Sequence, residues 1–395
     1  MHQHAAKRNL TPLYCLHQAA YFFAMAGISA FAVTYLMNRG FSASQIGVML
    51  AMTNILSCVL QPMIGSYVDR TSITLLQRMI PGFLIAAFAA FAAIELLSFP
   101  QAATGALYVA GYLAFSITIP LFNPLCAHYS QSGYLIDYGA GAGVGSLSFS
   151  FASLGFGYII ARLGSSAMMV VVLLCIALQL VLSLRYPRLQ PGERACISQG
   201  RRTQSLSISA FCRRYRLFMA TMLGVMFLAA CHAMAENFLI QLFGRIGGGS
   251  EHVGVALFLA CITAAPFMLF FERIQNRIGV MILLRLTGFF YILKAVLLIW
   301  APTIASVYLI ELLQTCTYGF LNPSLYYLVI RRIQPRDMAK GQTLASAIFS
   351  LGMALGNSLG GVAIEQWGLN SMLSIAAGIA CAGTLLINAS IAKPD

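Results

Sequence analysis

The chain repeats one feature from end to end: apolar runs long enough to cross a bilayer, separated by short polar segments. A membrane-spanning helix needs about 20 apolar residues, whereas a spanning β-strand needs about ten residues of alternating polarity. The runs have the first length and lack the alternation, so they predict helices. Only 9% of the 395 residues are charged and 59% are hydrophobic, against about 25% charged in soluble proteins. The sequence therefore predicts an all-α, polytopic membrane protein.

Twelve apolar runs are present, in two groups of six. The first group lies at 13–37, 45–68, 74–98, 103–127, 136–161 and 165–185. The second group lies at 215–243, 252–274, 280–300, 303–330, 339–364 and 370–392. Residues 186–214 form the one long polar stretch and are predicted to be a cytoplasmic linker. The layout predicts an N-terminal six-helix bundle over residues 1–185 and a C-terminal one over residues 215–395.

The distribution of basic residues predicts the orientation. With the N-terminus inside, all but four of the 24 Lys and Arg residues lie in inner segments, as the positive-inside rule requires. Three of the four are the loop residues Arg39, Arg162 and Arg245, and the fourth, Lys294, lies inside a span. Both termini are therefore predicted to be cytoplasmic, in an inner or plasma membrane. The net charge of +13 is explained by loops that face anionic lipid, so no nucleic-acid partner is expected.

The two groups of spans resemble each other. Span two with its loop, QIGVMLAMTNILSCVLQPMIGSYVDR, aligns without a gap on span eight, HVGVALFLACITAAPFMLFFERIQNR. In this alignment Gly47 meets Gly254 and Arg70 meets Arg277. A parallel internal repeat of this kind predicts two pseudo-symmetric bundles related by an axis along the membrane normal.

Two patterns within residues 21–70 carry a family resemblance: YFF, which opens span one, and QPMIGSYVDR, which ends span two. They resemble the lactose-permease group of major facilitator transporters, and YLIDYGAGAGVGS resembles its phenylpropionate-transporter branch. The resemblance implies the major facilitator fold, with a solute site between the two halves. It also implies that Gly65, Asp69 and Arg70 latch one conformation of the transport cycle, the alternative being an ordinary solvated loop.

The resemblance does not extend to galactoside chemistry. The family residues that hold the sugar and move the proton are replaced here, at Pro124, Ala142, Phe149, Tyr318 and Leu321. Phe149 keeps an aromatic face where the family has a sugar-stacking tryptophan, and Lys294 stands where the family has an arginine. Galactoside transport by the mechanism of lactose permease is therefore not expected.

Lys294 lies in the middle of an apolar run, LRLTGFFYILKAVLLIWAP. A charge at this depth costs about 2.5–3.5 kcal/mol on insertion scales, so it requires a partner or a task. Glu311 and Glu236 are predicted at a similar depth, roughly 9–12 Å below the outer boundary, and His232 lies one turn from Glu236. These four residues form the predicted proton-coupling or solute site. The alternative is a static ion pair that fixes spans nine and ten.

Aromatic and amide side chains on the predicted inner helices are candidates for lining the solute cavity: Phe149, Tyr318, Asn123, Asn322 and Tyr21. Spans five and eleven are rich in glycine, at positions 139, 141, 143 and 145 and at positions 352, 356 and 360. Such small-residue ridges let helices approach closely. They are either surfaces that slide during transport or sites of tight static packing.

The leading functional hypothesis is a secondary active transporter, a proton symporter for a sugar, a nucleoside or an aromatic or organic acid. Within the class, a proton-coupled exporter is the alternative. The rivals from other classes are a membrane-embedded enzyme and a non-transporting membrane sensor. Neither HExxH nor GxxxxGK[ST] occurs, so a zinc protease or an ATP-driven pump is not indicated. The ten cysteines are scattered, so no disulfide framework, metal site or cofactor is predicted. The expected partners are the solute, a proton and membrane lipid, and the expected state is a monomer.

Overall fold

The computed structural model describes residues 8–68, 73–187 and 207–391. These residues are almost entirely helical, and the β-structure among them is limited to an isolated bridge between Asn9 and Leu135. The helices are α1 Thr11–Met25, α2 Ala32–Asn38, α3 Ala43–Val68, α4 Ile73–Leu96, α5 Gln101–Gln131, α6 Tyr138–Leu163, α7 Ser165–Leu184, α8 Ile208–Arg214, α9 Arg216–Asn237, α10 Leu239–Arg245, α11 Ser250–Leu269, α12 Phe271–Ile278, α13 Val280–Ile299, α14 Ile304–Glu311, α15 Tyr318–Arg332 and α16 Met338–Ile391.

Ten stretches of the described helix are long and apolar enough to cross a membrane, and the bent pair α1 and α2 makes an eleventh. The last of them, α16, has 54 residues and would be about 80 Å long if it were straight. It bends at Gly368, whose φ of 81° and ψ of 173° are not helical. Glycine adopts such a positive φ at no steric cost. Each of the two parts on either side of this bend exceeds the roughly 20 residues that a span needs, so α16 is long enough for two spans.

Span one is broken where the sequence predicts one continuous helix. A turn of π-helix at Ala26–Ala30 separates α1 from α2, and the two parts differ in direction by 54°. The Tyr108 hydroxyl donates to the carbonyl oxygen of Ile28 at 2.6 Å, which satisfies an acceptor within the irregular turn. No proline marks this break, and π-turns inside helices frequently occur at functional sites.

Span ten is broken in a similar way. The end of α14 at Glu311 is followed by one turn of 3-10 helix at Leu312–Thr315, and α15 begins at Tyr318. Pro323 lies within α15, beyond the break. The break therefore lies at the residues next to Glu311, one of the predicted site residues.

The described chain forms two compact units. The first comprises the described residues of Met1–Phe31 and Val59–Arg201. In it α1 packs against α6 and α7, and α4 packs against α5 and α7. The glycines of α6 accommodate rings, because Gly141 faces the ring of Tyr14 and Gly145 faces the ring of Phe22. The division of the chain at residues 185 and 215 remains a sequence-based expectation.

The second unit comprises the described residues of Ala32–Cys58 and Arg202–Asp395. Its most extensive packing joins α9 to α16, and α13 packs on the same long helix. Gly352 and Gly356 of α16 lie against the carbonyl oxygens of Met226 and Ala230, where a Cβ atom has no room. The glycines of span eleven therefore bring two helix backbones into direct contact.

The first half of α3 also belongs to the second unit and packs on α16. Its N-terminal amide, from Ser44, donates to Oε2 of Glu365 at 3.0 Å, and the Ser42 hydroxyl donates to the same oxygen at 2.9 Å. A carboxylate at a helix N-terminus satisfies free amide groups and interacts favourably with the helix dipole.

Candidate functional site

The buried ammonium of Lys294 is the centre of a polar cluster inside the second unit. Its Nζ donates to Oε1 of Glu236, to Oε2 of Glu311 at 2.8 Å and to Oε1 of Gln314 at 2.9 Å. The Lys294 side chain is 3% exposed, against 9% for Glu236 and 0% for Glu311. The structure thus places three of the four predicted coupling residues in direct contact.

Each member of the cluster comes from a different part of the chain. Glu236 lies at the end of α9, Lys294 in the last third of α13 and Glu311 at the end of α14. The 3-10 turn that follows α14 carries Gln314, and the Thr317 hydroxyl donates to its Oε1 at 3.1 Å. The break in span ten therefore orients an amide oxygen toward the ammonium.

The ammonium of Lys294 is saturated. An ammonium has three N–H donors, and all three point at acceptors in this cluster. With both carboxylates ionised, the formal charge of Lys294, Glu236 and Glu311 together is −1. A buried cluster with a net charge is costly in a low-dielectric interior. One added proton would bring the formal charge of this cluster to zero.

Three buried polar atoms beside the cluster have no hydrogen-bond partner among the described residues. They are Oε1 of Glu311, Nδ1 of His232 and the hydroxyl of Tyr291. An unpaired buried polar atom costs about 1–3 kcal/mol. A proton or a solute that bonds to these atoms would therefore remove this free-energy cost.

His232 lies beside the carboxylates without a described hydrogen bond to them. Its ring stacks on Tyr318, with ring centroids 5.0 Å apart and an interplanar angle of 16°. Its other neighbour is the Tyr291 ring, at 6.1 Å and edge to face. The structure therefore groups His232 with aromatic side chains, whereas the sequence analysis groups it with the ions.

The candidate lining residues are divided between the units. Tyr21, Asn123 and Phe149 belong to the first, where Tyr21 is buried and stacks on Phe115 with centroids 4.8 Å apart. Asn123 is exposed and Phe149 is partly buried. In the second unit Tyr318 is partly buried against His232 and Asn322 is exposed on α15.

The predicted latch is only partly described. Gly65 lies in α3, and the predicted residues Asp69 and Arg70 lie outside the described residues. Their role remains the expectation that the family resemblance gives.

Sequence analysis missed three residues of the site, namely Gln314, Thr317 and Tyr291. Two of them have a helical spacing to a predicted residue, because Gln314 follows Glu311 by three positions and Tyr291 precedes Lys294 by three. Residues three apart share one helix face, so this spacing was the available signal. Thr317 has no such signal, because its contact with Gln314 depends on the break in span ten.

The sequence of α16 contains one pattern that is typical of enzymes. The letters GNSLG at positions 356–360 match the G-x-S-x-G pattern of serine hydrolases. That motif requires a sharp turn between a strand and a helix, whereas these residues lie inside α16. Among the described residues no group of three or more His, Cys, Asp or Glu side chains is arranged to hold a metal ion.

The family is shown by comparison with known proteins. Residues 14–374 match the model of the MFS_1 like family. Because this match covers most of the sequence, the chain belongs to that family, and it is a membrane transporter of the major facilitator type.

Relatives with similar sequences are transporters. Maltose permease of Geobacillus stearothermophilus is 25% identical over 384 residues, which cover 93% of this chain and 90% of the permease. The uncharacterized transporter YwbF of Bacillus subtilis (strain 168) is 25% identical over 356 residues, covering 85% of this chain and 82% of YwbF.

Solved structures support the same architecture. The nucleoside transporter NupG superposes with a TM-score of 0.81 at 16% identity, over 98% of this chain and 100% of NupG. A POT family transporter in complex with a thioalcohol conjugated peptide gives a TM-score of 0.67 at 12% identity, over 97% of this chain and 96% of that transporter. At such low identity these structures show the shared fold.

Proposed function

We propose that the chain is a proton symporter that imports a small, neutral, hydroxyl-bearing solute by alternating access. The observation that supports this proposal is the saturated ammonium of Lys294, which faces two carboxylates and one amide oxygen. A site with formal charge −1 and a buried, unpartnered carboxylate oxygen on Glu311 is suited to take up a single proton.

The proton is proposed to bind Glu311 at Oε1, a fully buried carboxylate oxygen without a described partner. Protonation converts this oxygen into a donor and removes the excess negative charge of the cluster. Because moving a charged site through a low-dielectric environment is costly, the neutral cluster rearranges more readily. The protein with Glu311 protonated therefore favours a different conformation from the protein with Glu311 ionised. Such a difference is required if proton binding is to drive solute transport.

The charge of the cluster also indicates the class of solute. An anion would meet a net negative charge and an ammonium whose donors are already used, so organic acids are disfavoured among the candidates. Neutral solutes that carry hydroxyl groups meet no such repulsion and can bond to uncharged polar groups such as the Tyr291 hydroxyl. The names of the relatives agree with this class, since maltose and nucleosides are both neutral and rich in hydroxyl groups.

The proposal includes the cellular setting that the sequence predicts. The protein is proposed to act as a monomer in the cytoplasmic membrane, with both termini in the cytoplasm and its basic loops against anionic lipid. Import makes use of a proton gradient that is directed inward, so the coupling cluster binds its proton outside and releases it inside.

The experiment uses purified full-length protein in liposomes with an imposed pH gradient, acid outside. The probes are radiolabelled maltose and uridine, with benzoate as the anionic comparison. The unmodified protein is expected to accumulate one of the neutral probes and not benzoate. Glu311→Gln is expected to lose this accumulation while it still exchanges labelled for unlabelled probe. Glu251→Gln, which replaces a partly exposed glutamate of the same unit, serves as the matched control.

Several results would contradict the proposal. If both Glu311→Gln and Glu236→Gln accumulate the neutral probe as well as the unmodified protein, the cluster does not couple the proton. If the probe instead leaves loaded liposomes when protons enter, the protein is an exporter. Accumulation of benzoate alone would overturn the assignment to neutral solutes.

A further inference from the structure

Aromatic side chains form a second layer one helical turn from the charged cluster. His232 precedes Glu236 by four residues on α9, and Tyr291 precedes Lys294 by three on α13. Three or four residues correspond to about 5 Å along a helix axis. Consecutive spans cross the membrane in opposite directions, so Tyr318, which follows α14, lies on the same side of the cluster. The ring contacts of His232 with Tyr291 and Tyr318 join these residues into one layer.

The two layers differ in how their polar atoms are used. In the charge layer of Glu236, Lys294 and Glu311, every described contact satisfies the ammonium. In the ring layer of His232, Tyr291 and Tyr318, the Nδ1 of His232 and the hydroxyl of Tyr291 are buried without a partner. Tyr291 is only 2% exposed, so its hydroxyl has no access to bulk water.

We propose that the ring layer is the solute-recognition subsite of the second unit, with His232 and Tyr291 as specificity residues. This inference rests on the proposed function and extends it, because it separates the residues that bind solute from those that bind the proton. His232 accordingly recognises the solute and does not carry the coupled proton.

The hydrogen-bonding chemistry of His232 Nδ1 and the Tyr291 hydroxyl indicates which polar groups a matching solute carries. A tyrosine hydroxyl both donates and accepts, and each nitrogen of a neutral imidazole does one or the other according to its tautomer. The matching solute presents a donor and an acceptor on adjacent atoms, as neighbouring hydroxyls on a ring do. The ring of Tyr318, partly exposed and parallel to that of His232, offers an apolar face to the same solute ring.

Hydrogen bonds of this kind discriminate strongly between solutes. A site built to bond a hydroxyl rejects the analogue that lacks it, because the buried groups of the protein then stay unpaired. We therefore expect deoxy analogues of the transported solute to bind poorly. The number of protons transported with each solute molecule is expected to stay the same.

The test measures KM and the proton-to-solute ratio in the same liposomes, with the maltose or uridine probe that the unmodified protein accumulates. Tyr291→Phe removes one oxygen atom and keeps the ring. It is expected to raise KM about 3- to 10-fold, the value of one neutral hydrogen bond, with an unchanged ratio. His232→Phe keeps an aromatic ring on Tyr318 and is expected to raise KM at least as much, whereas His232→Gln retains polar atoms and is expected to recover part of the loss.

Tyr326→Phe is the matched control, because it makes the same chemical change at an exposed tyrosine of α15. Unchanged KM values in both Tyr291→Phe and His232→Phe would overturn the ring-layer inference and leave the proton site intact. A changed proton-to-solute ratio in Tyr291→Phe or His232→Phe would overturn it too, since the layer would then belong to the proton pathway. If the unmodified protein accumulates neither probe, or if Glu311→Gln and Glu236→Gln both retain full accumulation, the proposed function itself fails.

Discussion

The two units bury their polar side chains in opposite ways. The second unit buries the charged Lys294 and gives each of its N–H groups an acceptor. In the first unit, no Lys, Arg, Asp or Glu side chain among the described residues is buried. Its most buried titratable groups include His17, which is 0% exposed and whose two ring nitrogens have no described partner.

His17 is held by rings instead. It stacks on Phe122 with centroids 3.8 Å apart and an interplanar angle of 11°, and Tyr186 meets both rings edge to face. The two units have a similar sequence layout, but the second contains a buried ionic cluster and the first contains stacked aromatic rings at its most buried histidine. Proton coupling is accordingly proposed for the second unit alone.

The largest expected effect on stability comes from removing the cation. Lys294→Met leaves two carboxylates buried without it, and breaking a buried ion pair by losing one partner costs about 3–5 kcal/mol. Thermal unfolding of the purified protein at pH 8 measures the loss, and Lys294→Arg, which keeps the charge, is the control. If the Lys294→Met protein is as stable as the unmodified protein at pH 8, the ionic cluster does not stabilise the second unit, and the proposed difference between the two units is wrong.

The glycine-rich helices of the two units also differ in how closely they pack. In the second unit a Cβ at Gly356 meets the backbone of Ala230, whereas in the first unit a Cβ at Gly143 meets no atom within 4 Å. Gly356→Ala is expected to cost about 1–3 kcal/mol through overpacking. Gly143→Ala is expected to be neutral or stabilising, because alanine favours helix. Equal shifts in melting temperature for the two variants would show that span eleven has freedom to move away from α9.

A smaller effect is expected at the break in span ten. Thr317→Val removes a hydroxyl that lies 3.1 Å from Oε1 of Gln314 and 3.2 Å from the carbonyl oxygens of Leu313 and Gln314. One such hydrogen bond contributes about 0.5–1.5 kcal/mol. Thr263→Val is the matched control, because the Thr263 hydroxyl bonds only to carbonyl oxygens of its own helix. Denaturant unfolding compares the two, and an equal loss in both would show that Thr317 does not position Gln314.

The smallest effect is expected in the first unit. His17→Phe replaces an imidazole that makes no described hydrogen bond by a ring that stacks equally well on Phe122. The change in unfolding free energy is expected to stay within about 1 kcal/mol. A much larger loss would mean that the His17 nitrogens are satisfied by buried water, and the contrast between an aromatic and an ionic core would fail.

The helical architecture and the presence of an unusual charge could be predicted from the amino-acid sequence alone. Apolar runs about 20 residues long have one stable form in hydrocarbon, since a helix satisfies every backbone group within the run. Lys294, Glu236 and Glu311 were visible for a related reason, because a charge inside such a run is rare and costly. Hydropathy and helical rise alone placed them at a similar depth.

Which polar groups bond to the Lys294 ammonium, and which have no described partner, depends on how the helices pack. The breaks at Ala26–Ala30 and Leu312–Thr315 carry no proline within them, so the strongest local signal of a helix break is absent from both. The second break turns Gln314 toward Lys294, and packing between α9, α13 and α15 sets His232 against tyrosines instead of carboxylates. Such contacts join residues far apart in the chain, and their geometry depends on how whole helices fit together, which hydropathy does not encode.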